Sequence, residues 1–209
     1  MRKELSELYK ITKSDVNYLS KLFERVFFNW SLVVAIEPDE EIRRTRAHYF
    51  YALSIKHLIK YGEAYAPSPK LEGVAMWVHS DYTEMTLWQM IKYGGLKTFY
   101  KLGAKSMKKA DISLEFMEKT HKTLIKEPHY HFAWLGVEPG LQKTGIGTEL
   151  IHAMLNKFSK ENMKCFLDTQ DKQNIDYYRK FGFKLIHECQ IPNVDVMYWG
   201  MLWEPGSNS

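Results

Sequence analysis

Two cysteines in 209 residues leave little room for a disulfide scaffold or a metal cluster. Cys165 and Cys189 both stand in apolar runs, without a partner at metal-ligand spacing. Reduced core thiols are therefore expected, and no bound metal. No apolar run approaches the roughly 18 residues that a membrane span needs. The opening Met1-Arg-Lys-Glu-Leu is too charged for a secretory signal. Repeats and low-complexity tracts are missing as well, and only the tail Pro205-Gly-Ser-Asn-Ser209 reads as disordered. These absences lead to a cytoplasmic protein without a membrane partner, folded as a single domain over 1–209. A net charge of +4 suits a polyanionic ligand but is too small to argue for nucleic acid.

What is present is a strand, a tight glycine turn and a helix. Phe132 to Val137 reads as a buried strand, stopped by Pro139-Gly140. Beyond the turn, Ile146, Leu150, Ile151, Met154, Leu155 and Phe158 recur at helical spacing. The first turn of a helix offers unpaired N–H donors and the positive end of the dipole, which suits a phosphate. Gly145 and Gly147 lack the Cβ that would hold a ligand off the backbone. A dinucleotide fingerprint would need a third glycine where Leu150 stands, and the Gly-Lys-Ser/Thr of a P-loop is missing.

The pattern Gln142-x-x-Gly145-x-Gly147 resembles motif A of the GCN5-related N-acetyltransferases (GNAT), where this turn holds the pyrophosphate of acetyl-CoA. Asn174-x-x-x-Tyr178-x-x-x-Gly182-Phe183 resembles their motif B, in the right order and at the right distance. Lys126-Glu-Pro, Val74-Ala-Met-Trp77 and a helical insert resemble more narrowly the puromycin N-acetyltransferase subgroup. The remaining periodicities give helices after Thr12-Lys-Ser-Asp15 and after Pro38, and strands at 63–66 and 71–79. Two or three helices are expected within 81–127, then strands at 164–169, 183–191 and 194–203 around a helix at 172–181. A weak strand is expected within 4–12. The implied fold is α/β, with a mixed, mostly antiparallel sheet of six to seven strands flanked by helices and a helical insert before the central strand.

Moving an acetyl group from a thioester to an amine needs a base for the ammonium, support for the oxyanion and an acid for the thiolate. Deprotonating an amine of pKa near 10 at neutral pH costs roughly 4 kcal/mol. The resemblance makes Tyr178 the acid, with Tyr177 its neighbour in register; the alternative is that Tyr178 only packs against Phe181 and Phe183. The central strand offers no carboxylate between Tyr130 and Val137, so His131 is the candidate base, ahead of His129. Glu115, Glu118 and His121 on the insert are further possibilities. By the same resemblance, Gln142, Lys143, Thr144, Gly145, Ile146, Gly147 and Thr148 wrap the pyrophosphate. Leu135, Gly136 and Val137 line the pantetheine and thioester through their main chain, and Asn174 and Tyr178 complete the acetyl-CoA site.

Among six tryptophans, Trp30, Trp77 and Trp199 are the candidates to line an acceptor pocket, although most tryptophans belong to cores. Lys97, Lys101, Lys105, Lys108 and Lys109 form one basic helix face, usually a solvated one. The expected function is N-acetylation of a small-molecule amine, by a monomer or homodimer without nucleic acid. A non-catalytic acyl-CoA sensor or partner-binding domain and a nucleic-acid module are the alternatives.

Overall fold

In the computed structural model, which describes residues 4–206, seven strands share one sheet. They are β1 (Tyr9–Lys10), β2 (Gly62–Ala66), β3 (Gly73–His79), β4 (His129–Val137), β5 (Lys164–Thr169), β6 (Lys184–Ile191) and β7 (Val196–Trp203). Their spatial order is β1-β2-β3-β4-β5-β7-β6, and every neighbouring pair is antiparallel except β4–β5. The helices are α1 (Val16–Val26), α2 (Ser31–Ile36), α3 (Glu40–Tyr61), α4 (Leu87–Tyr93), α5 (Gly95–Leu124), α6 (Ile146–Lys160) and α7 (Gln173–Arg179).

Helices cover both faces of the sheet. On one face α6 packs over Trp77, Phe132, Leu167, Trp199, Met201 and Trp203 through Leu150, Met154 and Phe158, joined by Ile175 of α7. On the other, α1 and α3 bury Leu19, Leu22, Phe23, Tyr51 and Ile55 against Val74, Met76 and Val78. Next to them Leu32 of α2 and Ile125 cover Phe166 and Tyr198. Burial on both faces explains why β3 and β7 read as nearly continuous apolar runs.

Local chemistry sets the element ends. Asp39 accepts from the amides of Glu41 and Ile42 at 2.9 and 3.1 Å and so caps α3. Asp15 accepts from the Thr12 amide at 2.8 Å at the entry to α1. The expected strand within 4–12 is reduced to two residues after a short 3₁₀ turn, and α2 was not foreseen. The insert is helical as expected; Gly94, at φ 108°, separates α4 from α5, and Gly103, at φ 80°, breaks α5 again. The expectation of a disordered tail at 205–209 falls, beyond Gly206, outside the described residues.

β4 holds one residue more than its partner. Met76 pairs with Trp134 and Trp77 with Phe132, so Ala133 is bulged. As a result Ala133 and Trp134 both face α1 and α3, while Phe132 and Leu135 face α6. On the other side β4 pairs with β5 only from His129 to His131, opposite Lys164 to Phe166. Beyond that point the strands part.

Gly62, where α3 turns into β2, has room for nothing larger: a Cβ there would collide with the Trp77 carbonyl. Gly62→Ala is expected to lower stability by about 2–4 kcal/mol. Gly140→Ala, where a Cβ meets nothing within 4 Å, should stay within about 0.5 kcal/mol. Urea unfolding midpoints of the two variants check this.

Candidate active site

The gap between β4 and β5 opens toward the turn that leads into α6. In that turn Lys143 has φ 64° and Gly145 has φ 95°, two left-handed residues separated by one. Such alternation turns successive amides to one side and makes a nest for an anion. Among the described residues no backbone N–H from Gln142 to Thr148 has a hydrogen-bond acceptor; the first amide bonded in α6 is that of Glu149, to Gly145. Thr144 Oγ1 donates to the Leu141 carbonyl at 2.6 Å and Gln142 Nε2 to Val137 at 3.4 Å, which folds the turn on itself. Arg25 holds Glu138 by two bonds of 2.9 and 2.6 Å and fixes the turn to α1. The residues present therefore fit a pyrophosphate: free donors, a helix N-terminus and no Cβ at Gly145 or Gly147.

Tyr177 and Tyr178 point to different places. The Tyr177 hydroxyl stands over Gly147, 2.9 Å from where a Cβ would be. Tyr178 packs edge-on to Phe132 and Phe183, with ring centroids 6.2 and 5.8 Å away, so its ring is core as well. Burial raises its pKa, with smaller contributions from Tyr177, Asp168 and Cys165. Its phenol therefore keeps its proton at any pH near neutrality and has β5 as its neighbour. Asn174 donates to Thr169 Oγ1 at 3.0 Å, which ties α7 to the end of β5.

On the opposite face lies a polar cluster. His131 Nε2 is 3.2 Å from Asp168 Oδ1 on β5. An ionised carboxylate only accepts, so Nε2 carries the hydrogen and Nδ1 is the free lone pair. Asp168 is a carboxylate that sequence reasoning passed over, although a lone Asp in the apolar strand 164–169 was the available signal. His129 Nδ1 donates to the Glu127 carbonyl at 2.7 Å. In the neutral ring its Nε2 then accepts from His121 Nε2, also at 2.7 Å. That leaves His121 Nδ1 buried without a partner, as are Gln170 Oε1 and the Tyr198 hydroxyl nearby. Glu118 Oε2 is 4.0 Å from His121 Nδ1. Glu115 is instead paired on the surface with Lys119.

The three candidate tryptophans divide. Trp77 is fully buried, stacked on Tyr65 and edge-on to Phe158, and Trp199 belongs to the same core beneath α6. Neither reaches an acceptor, a correction that follows from their strand parity. Trp30 is half-buried and meets Trp134, which the sequence reading missed, with centroids 5.9 Å apart. Trp134 also touches Phe23 and Phe27, at 5.3 and 5.1 Å, and donates to Ser54 Oγ at 2.8 Å. Ser31, the neighbour of Trp30, donates through Oγ to the Gln170 carbonyl at 2.7 Å, just beyond the end of β5. At Gly136 the missing Cβ admits the Phe23 ring, 3.1 Å away, from the α1 side. Both cysteines are unpaired, Cys165 buried and Cys189 half-buried.

The sheet parts at its one parallel pair, with unbonded amides at the opening. Residues 108–183 match the acetyltransferase (GNAT) family model. Solved structures share the fold over almost the whole length. A Corynebacterium glutamicum protein described as histone acetyltransferase HPA2 and related acetyltransferase is 14% identical, with 95% of this chain and 96% of that one covered, at a TM-score of 0.67. Arylalkylamine N-acetyltransferase 2 from Aedes aegypti is 11% identical, covering 95% and 98%, at 0.61. Drosophila melanogaster polyamine N-acetyltransferase is 10% identical, covering 94% and 98%, at 0.58.

Burial, then the neighbouring imidazoles of His131 and His129 and the charge of Lys122, hold the His121 pKa down at about 2. Burial also lowers that of His129, opposed by its bond to Glu127. Unfolded, both would titrate near 6.5. The unfolded chain thus binds more protons below that pH. The stability these rings contribute is complete above about pH 6.5 and is lost as pH falls toward the folded values. Unfolding free energy should drop below pH 6.5 with a slope of up to about 1.4 kcal/mol per pH unit per ring. In His121→Phe, which can keep the stack on Phe166, the slope measured by urea titration should shrink.

Proposed function

We propose that this chain acts as a single N-acetyltransferase domain that moves the acetyl group of acetyl-CoA to a primary amine of a small molecule, by direct attack in a ternary complex. The observation that carries the reading is the run of unbonded amides from Gln142 to Thr148 at the mouth of the β4–β5 gap. The match of residues 108–183 to the acetyltransferase (GNAT) family model supports acyl-CoA as donor. The cytoplasm, where acetyl-CoA is available, is the compartment this implies. Among the described residues no helix is long and apolar enough to cross a membrane.

In this reading the amides of Lys143, Gly145 and Gly147, with Thr148, hold the pyrophosphate, and the main chain of Leu135 to Val137 takes the pantetheine and the thioester oxygen. The acceptor amine enters from the face of Trp30, Trp134, His131 and Asp168. Asp168 orients His131 as a carboxylate orients a catalytic imidazole, leaving Nδ1 to take the ammonium proton. The amine nitrogen attacks the acetyl carbon, the carbon–sulfur bond breaks, and Tyr178 on the opposite face gives its proton to the thiolate. The buried, unpartnered atoms of Gln170 and Tyr198 beside Asp168 suit a polar acceptor or ordered water. Aromatic and carboxylate groups together favour a cationic acceptor with an apolar body. The similarity to enzymes named for arylalkylamines and polyamines points the same way.

Thiol release from acetyl-CoA with a panel of arylalkylamines, polyamines and puromycin tests this. Tyr178→Phe should lower kcat on the order of 10²-fold while acetyl-CoA binding, followed by calorimetry, stays unchanged. Asp168→Asn should lower kcat without weakening acetyl-CoA. Binding with no turnover on any amine would favour the sensor alternative.

A further inference from the structure

The insert is built inside out. Along α5, Thr98 is 1% exposed and Ser106 and Ser113 are buried. Thr98 Oγ1 donates to the Tyr49 carbonyl at 3.1 Å and Ser106 Oγ to Glu37 at 2.6 Å, so polar bonds fasten the helix to its neighbours. Lys56 Nζ fastens the end of α4 by donating to the Tyr93 carbonyl at 2.6 Å. The apolar side chains are on the outside. Trp88 is 80% exposed, Leu96 71% and Tyr100 81%, and Leu87, Ile91 and Phe99 are exposed with them. Within each helix they fall on one arc: Leu87, Trp88 and Ile91 in α4, and Leu96, Phe99 and Tyr100 in α5. Six large apolar side chains exposed on two consecutive helices mark a docking surface.

Charge identifies what docks. From Met85 to Ala110 the chain has six lysines, Lys92, Lys97, Lys101, Lys105, Lys108 and Lys109, and no Asp or Glu. Since the whole chain carries only +4, the rest is net negative. The hairpin thus carries exposed aliphatic and aromatic groups together with charge of one sign, with Lys92, Lys97, Lys105 and Lys108 exposed. We propose that the α4–α5 hairpin is a peripheral docking surface for an anionic lipid membrane, which inserts its apolar arc at the headgroup level and sets its lysines against lipid phosphates. This revises the sequence expectation of no membrane partner, without any membrane span. A second copy fits the surface less well, because a twofold contact would press one lysine stripe on another. Nucleic acid would use the lysines and the aromatic rings but not Leu87, Ile91 and Leu96. Lipid uses all of them.

Flotation with vesicles of phosphatidylcholine alone, and of phosphatidylcholine mixed with phosphatidylglycerol, tests the proposal on the full chain. Binding should need the anionic lipid and weaken as salt rises. Replacing the exposed Lys92 and Lys105 by Gln should weaken it about fivefold per lysine. Trp88→Ser combined with Leu96→Ser should weaken it roughly tenfold or more. Both double variants should keep the wild-type melting temperature, since all four side chains are solvent-exposed. Equal binding to neutral vesicles, or none to either, overturns the proposal. So does a dimer, seen by sedimentation equilibrium, that Trp88→Ser dissociates while vesicles remain unbound. Salt-sensitive binding to DNA or RNA by a chain that ignores anionic vesicles overturns it as well.

Discussion

The early parting of β4 from β5 governs the rest of this molecule. Two parallel strands pair over three residues and then diverge, although β4 runs on to Val137 and β5 to Thr169. Main-chain groups left unpaired inside a protein cost about 1–3 kcal/mol each, so a fold keeps such a gap only where something else fills it. The bulge at Ala133 accompanies the divergence and turns Trp134 to the α1 side. The bulk that now borders the gap, Trp134 with Trp30 and Phe27, comes from that one extra residue. The same gap leads straight to the α6 turn, where the amides also lack partners. An opening between strands that leads to a turn of unbonded amides suits an elongated ligand with an anionic end.

The gap also separates the two proton-handling groups. Tyr178 belongs to the α6–α7 face and His131 with Asp168 to the other. In the proposed reaction, amine entry and thiol departure would lie on opposite sides of the sheet, so one proton would be taken up where the other is not released. Burial makes Tyr178 a still weaker acid than a free phenol, while the bond to Asp168 assigns His131 a tautomer with an open nitrogen. The His121–His129 pair, although close to His131, is spent on a structural bond that closes against the Glu127 carbonyl.

Strand and helix positions were legible because their causes are local. Asp39 caps, Gly62 ends a helix and Gly94 breaks one, and each is visible in the chain as a residue type at a place. The glycine turn was legible for the same reason. What escaped was whatever depends on strand parity across a bulge. Trp77 and Trp134 look alike as sequence, yet the first is core under α6 and the second borders the gap. That Gly136 also makes room for Phe23 depends on how α1 crosses the strand, which the sequence does not show. Asp168 could not be paired with His131 from spacing, since the two lie on different strands and meet only because β4 and β5 are in register at His131 and Phe166. Helix α2 escaped because six residues carry too little periodicity.

The insert shows the opposite logic within one helix. Beyond the break at Gly103, α5 behaves as an ordinary buried helix, with Ala110, Ser113 and His121 inward. Before the break its aliphatic and aromatic residues are outward and a threonine is inward. A continuous helix would keep both halves on one geometric track. Gly103, in a backbone region that a side chain rarely adopts, changes the direction of the chain between them. The second half places Glu118 and His121 against the polar cluster. The first half is free to follow different demands. Its hydrophobicity contributes nothing to the core, and its six-lysine neighbourhood carries more positive charge than the chain as a whole. Lys109 is held by the Ala35 carbonyl, and Lys97 and Lys101 lie over the Tyr49 ring; the exposed apolar arc and the exposed Lys92, Lys105 and Lys108 are what the fold itself does not use.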